Sequence, residues 1–282
     1  MPYAHNGACD VYYETFGDPA NPTLLLVNGL GSQSINYPDT WCEMFAAEGL
    51  HVVRYDNRDV GLSSRFADAP LNAAGAAYTV SDMAADGMAV LDALGVQRAH
   101  VMGLSMGGMI VQTMAIEHPQ RVITMTSVMS TTGEPEYRKS SPRAFELLTA
   151  PPATDREGYV REWIAGLREW GSPEFLDEAR ARATAEAAWD RAAPTDGGTT
   201  RQYLAIGASG SRAEALRHVT TPTLVMHGDK DTLIDQIGGR RTAELIPGAR
   251  FELIEGMGHD YPPQMWRRWV DLVVGHIREH PL

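Results

Sequence analysis

The chain has 282 residues, room for one large α/β domain or for a core that carries an insertion. Its 24 Lys and Arg stand against 36 Asp and Glu, a formal charge of −12. An acidic protein gains little from counterion release, so nucleic acid and membrane surfaces are not expected partners. The opening stretch MPYAHNGACDVYYETFG has neither the basic start nor the apolar run of a secretory leader. No apolar stretch approaches the roughly 18 residues of a membrane span. Cys9 and Cys42, the two cysteines, are expected to be reduced thiols, and the expected compartment is the cytoplasm.

In chain order, CDVYYETFG reads as a strand pair or hairpin and TLLLVN as a short buried strand. DTWCEMFAAEG has helical spacing and ends at Gly49, and HVVRYD is the next strand. TVSDMAADGMAVLDALG is a helix with Thr79 or Ser81 as its cap and Gly95 past its end. Strand AHVMGL, helix MGGMIVQTMAIEHP and strand RVITMTSVMS follow. Apolar strands alternating with amphipathic helices predict a mostly parallel sheet covered on both faces. From about Thr132 to Arg217 the pattern changes: PRAFELLTA, DREGYVREWIAGLREWG, PEFLDEARARATAEAAWDRA and TTRQYLAIGA are helix-like, and no strand is evident. The βα rhythm then returns with TPTLVMHG, GGRRTAELIPG, RFELIEG and PPQMWRRWVDLVVGHIRE. The expected organisation is a core over residues 1–131, a helical cap over 132–213 and the rest of the core over 214–282, with the cap inserted before the acid-bearing strand. In open α/β sheets, ligands bind at the carboxyl edge of the strands, which such a cap would cover.

The most specific motif is Gly103-Leu-Ser105-Met-Gly107 between a strand and a helix. It predicts a nucleophile elbow, a sharp turn that holds a serine hydroxyl above the sheet edge. A serine needs a base, and the base an orienting acid, here expected in the order Ser…Asp…His. Asp231 follows strand TLVMHG and His259 follows strand FELIEG, so all three residues sit beyond strand ends on one edge. Ser105 is the expected nucleophile, His259 the base and Asp231 the acid. The expected oxyanion donors are the N–H of Met106, after the nucleophile, and that of Leu30 in the Asn28-Gly29-Leu30-Gly31 turn.

At these residues the chain resembles the α/β-hydrolase fold family. The N-G-L-G turn, Asp56-Asn-Arg58-Asp-Val-Gly61-Leu-Ser63, G-L-S-M-G, H-G-D-K-D and G-M-G-H match in order over nearly the whole chain. The stretch D-N-R-D-V-G-L-S-S and the cap sequence D-R-E-G-Y-V are similar to small bacterial capped esterases and lipases, including aclacinomycin methylesterases and mycobacterial lipase-like hydrolases. Two positions depart from the pattern. Asn28 stands where many relatives have histidine, and Asp235 stands where the acid loop often has proline, which makes it a rival to Asp231.

The resemblance implies hydrolysis of lipophilic small-molecule carboxylic esters, with water as co-substrate and without cofactor or metal. Other triad chemistry on the same fold fits the motifs too: perhydrolysis or haloperoxidation, carbon–carbon hydrolysis, a biosynthetic lyase reaction or small-molecule sensing. Dehalogenases and epoxide hydrolases are disfavoured, since those relatives carry aspartate where Ser105 stands. Gly29-Leu-Gly31 lacks the third glycine of a dinucleotide fingerprint, and Asp229, Asp231 and Asp235 lack the spacing of an EF-hand loop. His227 is expected to be structural, Asp260 a surface carboxylate, and Asp56 and Arg58 loop-pinning ion-pair partners. Trp163, Trp170, Trp189 and Tyr203 are expected either to line a pocket or to hold the cap together.

Overall fold

A computed structural model describes residues 2–69, 71 and 75–281. A hairpin of β1 (Tyr3–Asn6) and β2 (Cys9–Phe16) opens the chain. It leads into β3 (Thr23–Val27), α1 (Asp39–Ala47), β4 (His51–Tyr55), α2 (Val80–Ala93), β5 (Ala99–Leu104), α3 (Met106–Glu117) and β6 (Val122–Val128). Among the described residues, only helices and turns lie between β6 and the next strand: α4 (Pro142–Thr149), α5 (Arg156–Trp170), α6 (Glu178–Ala192), α7 (Gly198–Ser209) and α8 (Ala213–Leu216). β7 (Thr223–Gly228), α9 (Ile237–Leu245), β8 (Arg250–Ile254) and α10 (Pro263–Arg278) complete the chain.

Local chemistry sets the boundaries. Thr79 caps α2: its hydroxyl accepts the Asp82 N–H and the Asp82 carboxylate accepts the Thr79 N–H, the reciprocal pair that satisfies two free donors. The stretch PEFLDEARARATAEAAWDRA does not form one helix. Pro173–Phe175 makes a single 3₁₀ turn, and α6 starts only after Asp177, whose carboxylate takes the Arg180 N–H at 3.0 Å.

The eight strands form one sheet in the order β1-β2-β4-β3-β5-β6-β7-β8. The β1–β2 and β2–β4 pairs are antiparallel and the others parallel. Alternate side chains of the strands feed two cores. Leu25 and Val27 pack with Met83 and Leu91 of α2 and Met109, Ile110 and Met114 of α3. Leu24 and Leu26 pack on the other face with Trp41 and Phe45 of α1 and Trp269, Val270 and Val273 of α10. Cys9 and Cys42 are free and buried, and burial above all pushes both thiols up to about 12, which keeps them protonated and unreactive. No helix among the described residues is long and apolar enough to cross a membrane.

Register decides what meets at the carboxyl edge. Val27 lies opposite Gly103, so the loop after β3 emerges beside Ser105. Gly228 lies opposite Ile254, so the loops after β7 and β8 emerge side by side.

Candidate active site

β5 delivers its chain straight into α3 with no connecting residue except Ser105, and the turn is sharp. Ser105 has φ 56° and ψ −117°, a region that costs a non-glycine residue on the order of 1–3 kcal/mol. Its backbone is held from several sides: its N–H donates to Val128 O at 2.9 Å, and its own carbonyl accepts from Gly108 N at 2.9 Å and Ser130 Oγ at 2.8 Å. The flanking glycines are steric necessities. A Cβ on Gly103 would stand 2.0 Å from Gly107 O, and one on Gly107 would stand 2.1 Å from Val27 O.

The loop after β3 closes against this turn. A Cβ on Gly29 would lie 3.3 Å from Ser105 Cβ, so the two backbones are in contact distance. Asn28, where relatives often carry histidine, braces the loop. Its Nδ2 donates to Gln33 O at 2.9 Å, and its carbonyl accepts from Asn57 Nδ2 at 3.0 Å. Among the described residues, neither the Leu30 N–H nor the Met106 N–H has a hydrogen-bond acceptor in the chain. Met106 is the first residue of α3, so no helical carbonyl precedes it by a turn.

Asp231 and His259 meet across the paired loops. His259 Nδ1 lies 2.7 Å from Asp231 Oδ2. The other carboxylate oxygen accepts the N–H groups of Leu233 at 2.9 Å and Ile234 at 2.8 Å. Burial alone would raise the Asp231 pKa. The imidazoles of His259 and His227 outweigh it and hold the carboxyl down at about 2. His227 therefore touches the site as well as the core: its Nε2 lies 2.8 Å from Ile234 O and 3.2 Å from Asp231 Oδ2. Asp235 stands apart and accepts the Ile237 N–H at 3.0 Å at the start of α9. Asp229 accepts the Gly256 N–H and pairs with Lys230, so the three loop aspartates point to three different tasks.

The helices between β6 and β7 are tied into both loops. His259 N donates to Trp170 O, Gly258 N donates to Ser172 Oγ at 2.9 Å, and Ser172 N and Oγ both donate to Asp260. Asp260 is thus not the free surface carboxylate expected. It joins the loop carrying His259 to the end of α5, and burial raises its pKa more than these bonds lower it. On the opposite side, the buried Gln202 of α7 accepts the Gly31 N–H at 2.8 Å and donates to Arg58 O at 2.7 Å. Arg191 of α6 pairs with Asp56 at 2.8 Å, and Arg201 of α7 pairs with Asp59 at 2.9 Å. Asp56 and Arg58 are ion-paired as expected, Arg58 with Asp86 at 2.6 Å. Sequence reasoning missed Gln202, Arg191, Arg201 and Ser172, because nothing local marks a partner 86 to 171 positions away.

A cavity of about 620 Å³ lies between the sheet edge and these helices. Ser105, His259, Leu30 and Met106 all stand in its wall, and Asp231 supports His259 from behind. Trp163, Trp170 and Tyr203 line it, whereas Trp189 packs on Tyr159 at 5.6 Å between centroids. Met106, Met109 and Met129 reach the cavity; Met102, Met114 and Met125 are core.

This arrangement of sheet, elbow and paired loops has counterparts. The family model of the alpha/beta hydrolase fold matches residues 22–261. The chain belongs to that family. It is 32% identical to rhodomycin D methylesterase DauP of Streptomyces sp. (strain C5), over 95% of each chain. It is likewise 32% identical to rhodomycin D methylesterase DnrP of Streptomyces peucetius, over 97% of this chain and 96% of that one. Among solved structures, an N-acyl homoserine lactone degrading enzyme superposes with a TM-score of 0.77 at 25% identity, covering 98% of this chain and 100% of the other.

Proposed function

We propose that this protein is a serine hydrolase of carboxylic esters, working with Ser105, His259 and Asp231 and needing no cofactor. The observation that carries this reading is the 2.7 Å contact of His259 Nδ1 with Asp231, made in the wall of the cavity that also exposes the strained Ser105 turn. With Nδ1–H donated to Asp231, Nε2 is left as the acceptor for the serine proton. Ser105 Oγ attacks the carbonyl carbon and its proton passes to His259 Nε2. The tetrahedral oxyanion is stabilised by the Leu30 and Met106 N–H groups, which have no other acceptor among the described residues. Collapse expels the alcohol, which takes the proton from His259 and leaves an acyl-enzyme. Water, deprotonated by His259, attacks that ester, and the second collapse returns Ser105 and releases the acid.

The methylesterase relatives support an ester as substrate, and the apolar cavity wall supports a lipophilic one. The helices over residues 132–213 act in this reading as a cap that builds the cavity's outer wall, and the cytoplasm remains the proposed compartment. The test is a fluorophosphonate probe with peptide mapping, paired with multiple-turnover release of p-nitrophenol from short and medium esters. The expected result is a single adduct on Ser105. In Ser105→Ala labelling should vanish and kcat should fall on the order of a million-fold. Labelling elsewhere, or turnover surviving in Ser105→Ala, overturns the reading.

A further inference from the structure

Most arginines that approach the helices over the cavity are ion-paired: Arg156, Arg168, Arg182, Arg191 and Arg201 each meet a carboxylate. Arg180 does not. It lies in the first turn of α6, in the cavity wall, and among the described residues its guanidinium has neither an ion pair nor a hydrogen bond. Nη1 is closed off from solvent with nothing to donate to. The group is nonetheless held in place. It lies 4.9 Å above the Trp266 ring, and that indole is fixed by its own bond to Tyr261 O at 2.8 Å and by stacking on Trp41 at 5.6 Å. A planar guanidinium seated on an indole, half-buried and with one nitrogen closed off from solvent and acceptor, is the arrangement that receives a carboxylate or another anionic oxygen. The carboxylates nearby are already engaged: Asp177 takes the Arg180 backbone N–H and Asp260 takes Ser172. Burial pulls the Arg180 pKa down, against the attraction of these acids, which again marks a cation short of a partner.

We infer that Arg180 reads an anionic oxygen on the substrate, so that the preferred esters carry a second acidic group, as monoesters of dicarboxylic acids do. The inference rests on the ester-hydrolase reading and deepens it. Tyr261 and Trp266 place Arg180 on the side of the cavity that carries His259, so the acidic group and the scissile ester are engaged in the same cavity. The cavity then divides its labour: apolar wall for the body of the substrate, Arg180 for one charged end.

The experiment compares monomethyl esters of straight-chain dicarboxylic acids with the methyl ester-amides of the same length, in the intact protein and in Arg180→Met and Arg180→Lys. The wild type should favour the anionic ester in kcat/KM by roughly 10- to 100-fold, Arg180→Met should lose that ratio, and Arg180→Lys should keep part of it. In parallel, free dicarboxylates and their neutral diamides are titrated by calorimetry. The dicarboxylate should bind the wild type, and Arg180→Met should weaken it by a similar factor. Hydrolysis of both series without preference overturns the role of Arg180 and leaves the esterase reading standing. If neither series is hydrolysed, the esterase reading falls and the calorimetric comparison decides Arg180 alone; equal binding of diacid and diamide, or equal binding by wild type and Arg180→Met, overturns it.

Discussion

Replacing Asp231 by asparagine separates the two carboxylates that the sequence leaves in competition. In the structure Oδ1 of Asp231 accepts the Leu233 and Ile234 N–H groups, and Oδ2 faces His259 Nδ1 at 2.7 Å and His227 Nε2 at 3.2 Å. An asparagine keeping its oxygen on the backbone donors puts its NH₂ against His259. Nδ1 must then become an acceptor, the proton moves to Nε2, and the base can no longer take the Ser105 proton. The opposite amide orientation sets NH₂ against two backbone N–H groups, leaving both without an acceptor in a buried site. Either way the protein is well folded only with the wrong tautomer, and kcat should fall about 10⁴-fold, some 5 kcal/mol of barrier. Asp235→Asn should behave otherwise. Its oxygen accepts the Ile237 N–H at 3.0 Å, a role asparagine fills equally well, so turnover should stay within about twofold. Steady-state hydrolysis of p-nitrophenyl butyrate, with circular dichroism to confirm folding, measures both. If Asp231→Asn keeps more than about a tenth of its turnover while Asp235→Asn loses it, the assignment of the acid is wrong.

Two further outcomes follow from the same contacts. Gln202→Leu removes the acceptor of the Gly31 N–H, beside the Leu30 donor, and should lower kcat by roughly 10- to 100-fold with KM within about threefold; a boronic acid that forms the tetrahedral adduct should weaken in step, and a change in KM alone would refute the role. Acid should unfold the protein partly through Asp231. Its folded pKa of about 2 lies below the ordinary 3.8, so its stabilisation, about 2 kcal/mol, is complete above pH 3.8 and is lost as pH falls through the folded value. Urea titrations between pH 5 and pH 2 should show wild type losing stability more steeply than Asp231→Asn. The opposite shift of Asp260 arises chiefly from burial and least from the Asp231 charge, so it changes little between the two; parallel slopes would refute the linkage.

What could be read in the sequence was local. Gly103, Ser105 and Gly107 announce the elbow because a Cβ at either glycine would fall 2.0–2.1 Å from a backbone oxygen, a constraint written into five consecutive residues. The meeting of Asp231 and His259 was foreseeable because each follows a strand by a short loop, and parallel pairing of β7 with β8 brings such loops together whatever their details. The split of residues 173–192 into a 3₁₀ turn and α6 was not evident, since alanine-rich helical propensity runs through it and only the Asp177 side-chain bond marks the start.

The ties that shape the site from above were illegible for a different reason. Gly31 and Gln202 are 171 positions apart, Gln33 and Arg191 158, and Gly258 and Ser172 86. Each is a polar side chain or backbone group in a helix or loop of ordinary composition, and its partner is chosen only when the helices over the sheet are seated. These ties couple the seating of α5, α6 and α7 to the loop bearing Leu30 on one side and to the loop bearing His259 on the other. A helical segment joined to the core at the buried carboxylates Asp56 and Asp59 cannot shift without stripping those carboxylates of their cations where they have no water to turn to. Movement that admits substrate is therefore expected where no buried ion pair holds the chain to the core, as in α4, which is anchored at its start by hydrogen bonds of Ser140 and Ser141 and whose exposed Phe145 stands in the cavity wall, rather than in the α6–α7 half. On this argument specificity is set by a fixed wall that carries Arg180, and access by a looser one that carries Phe145.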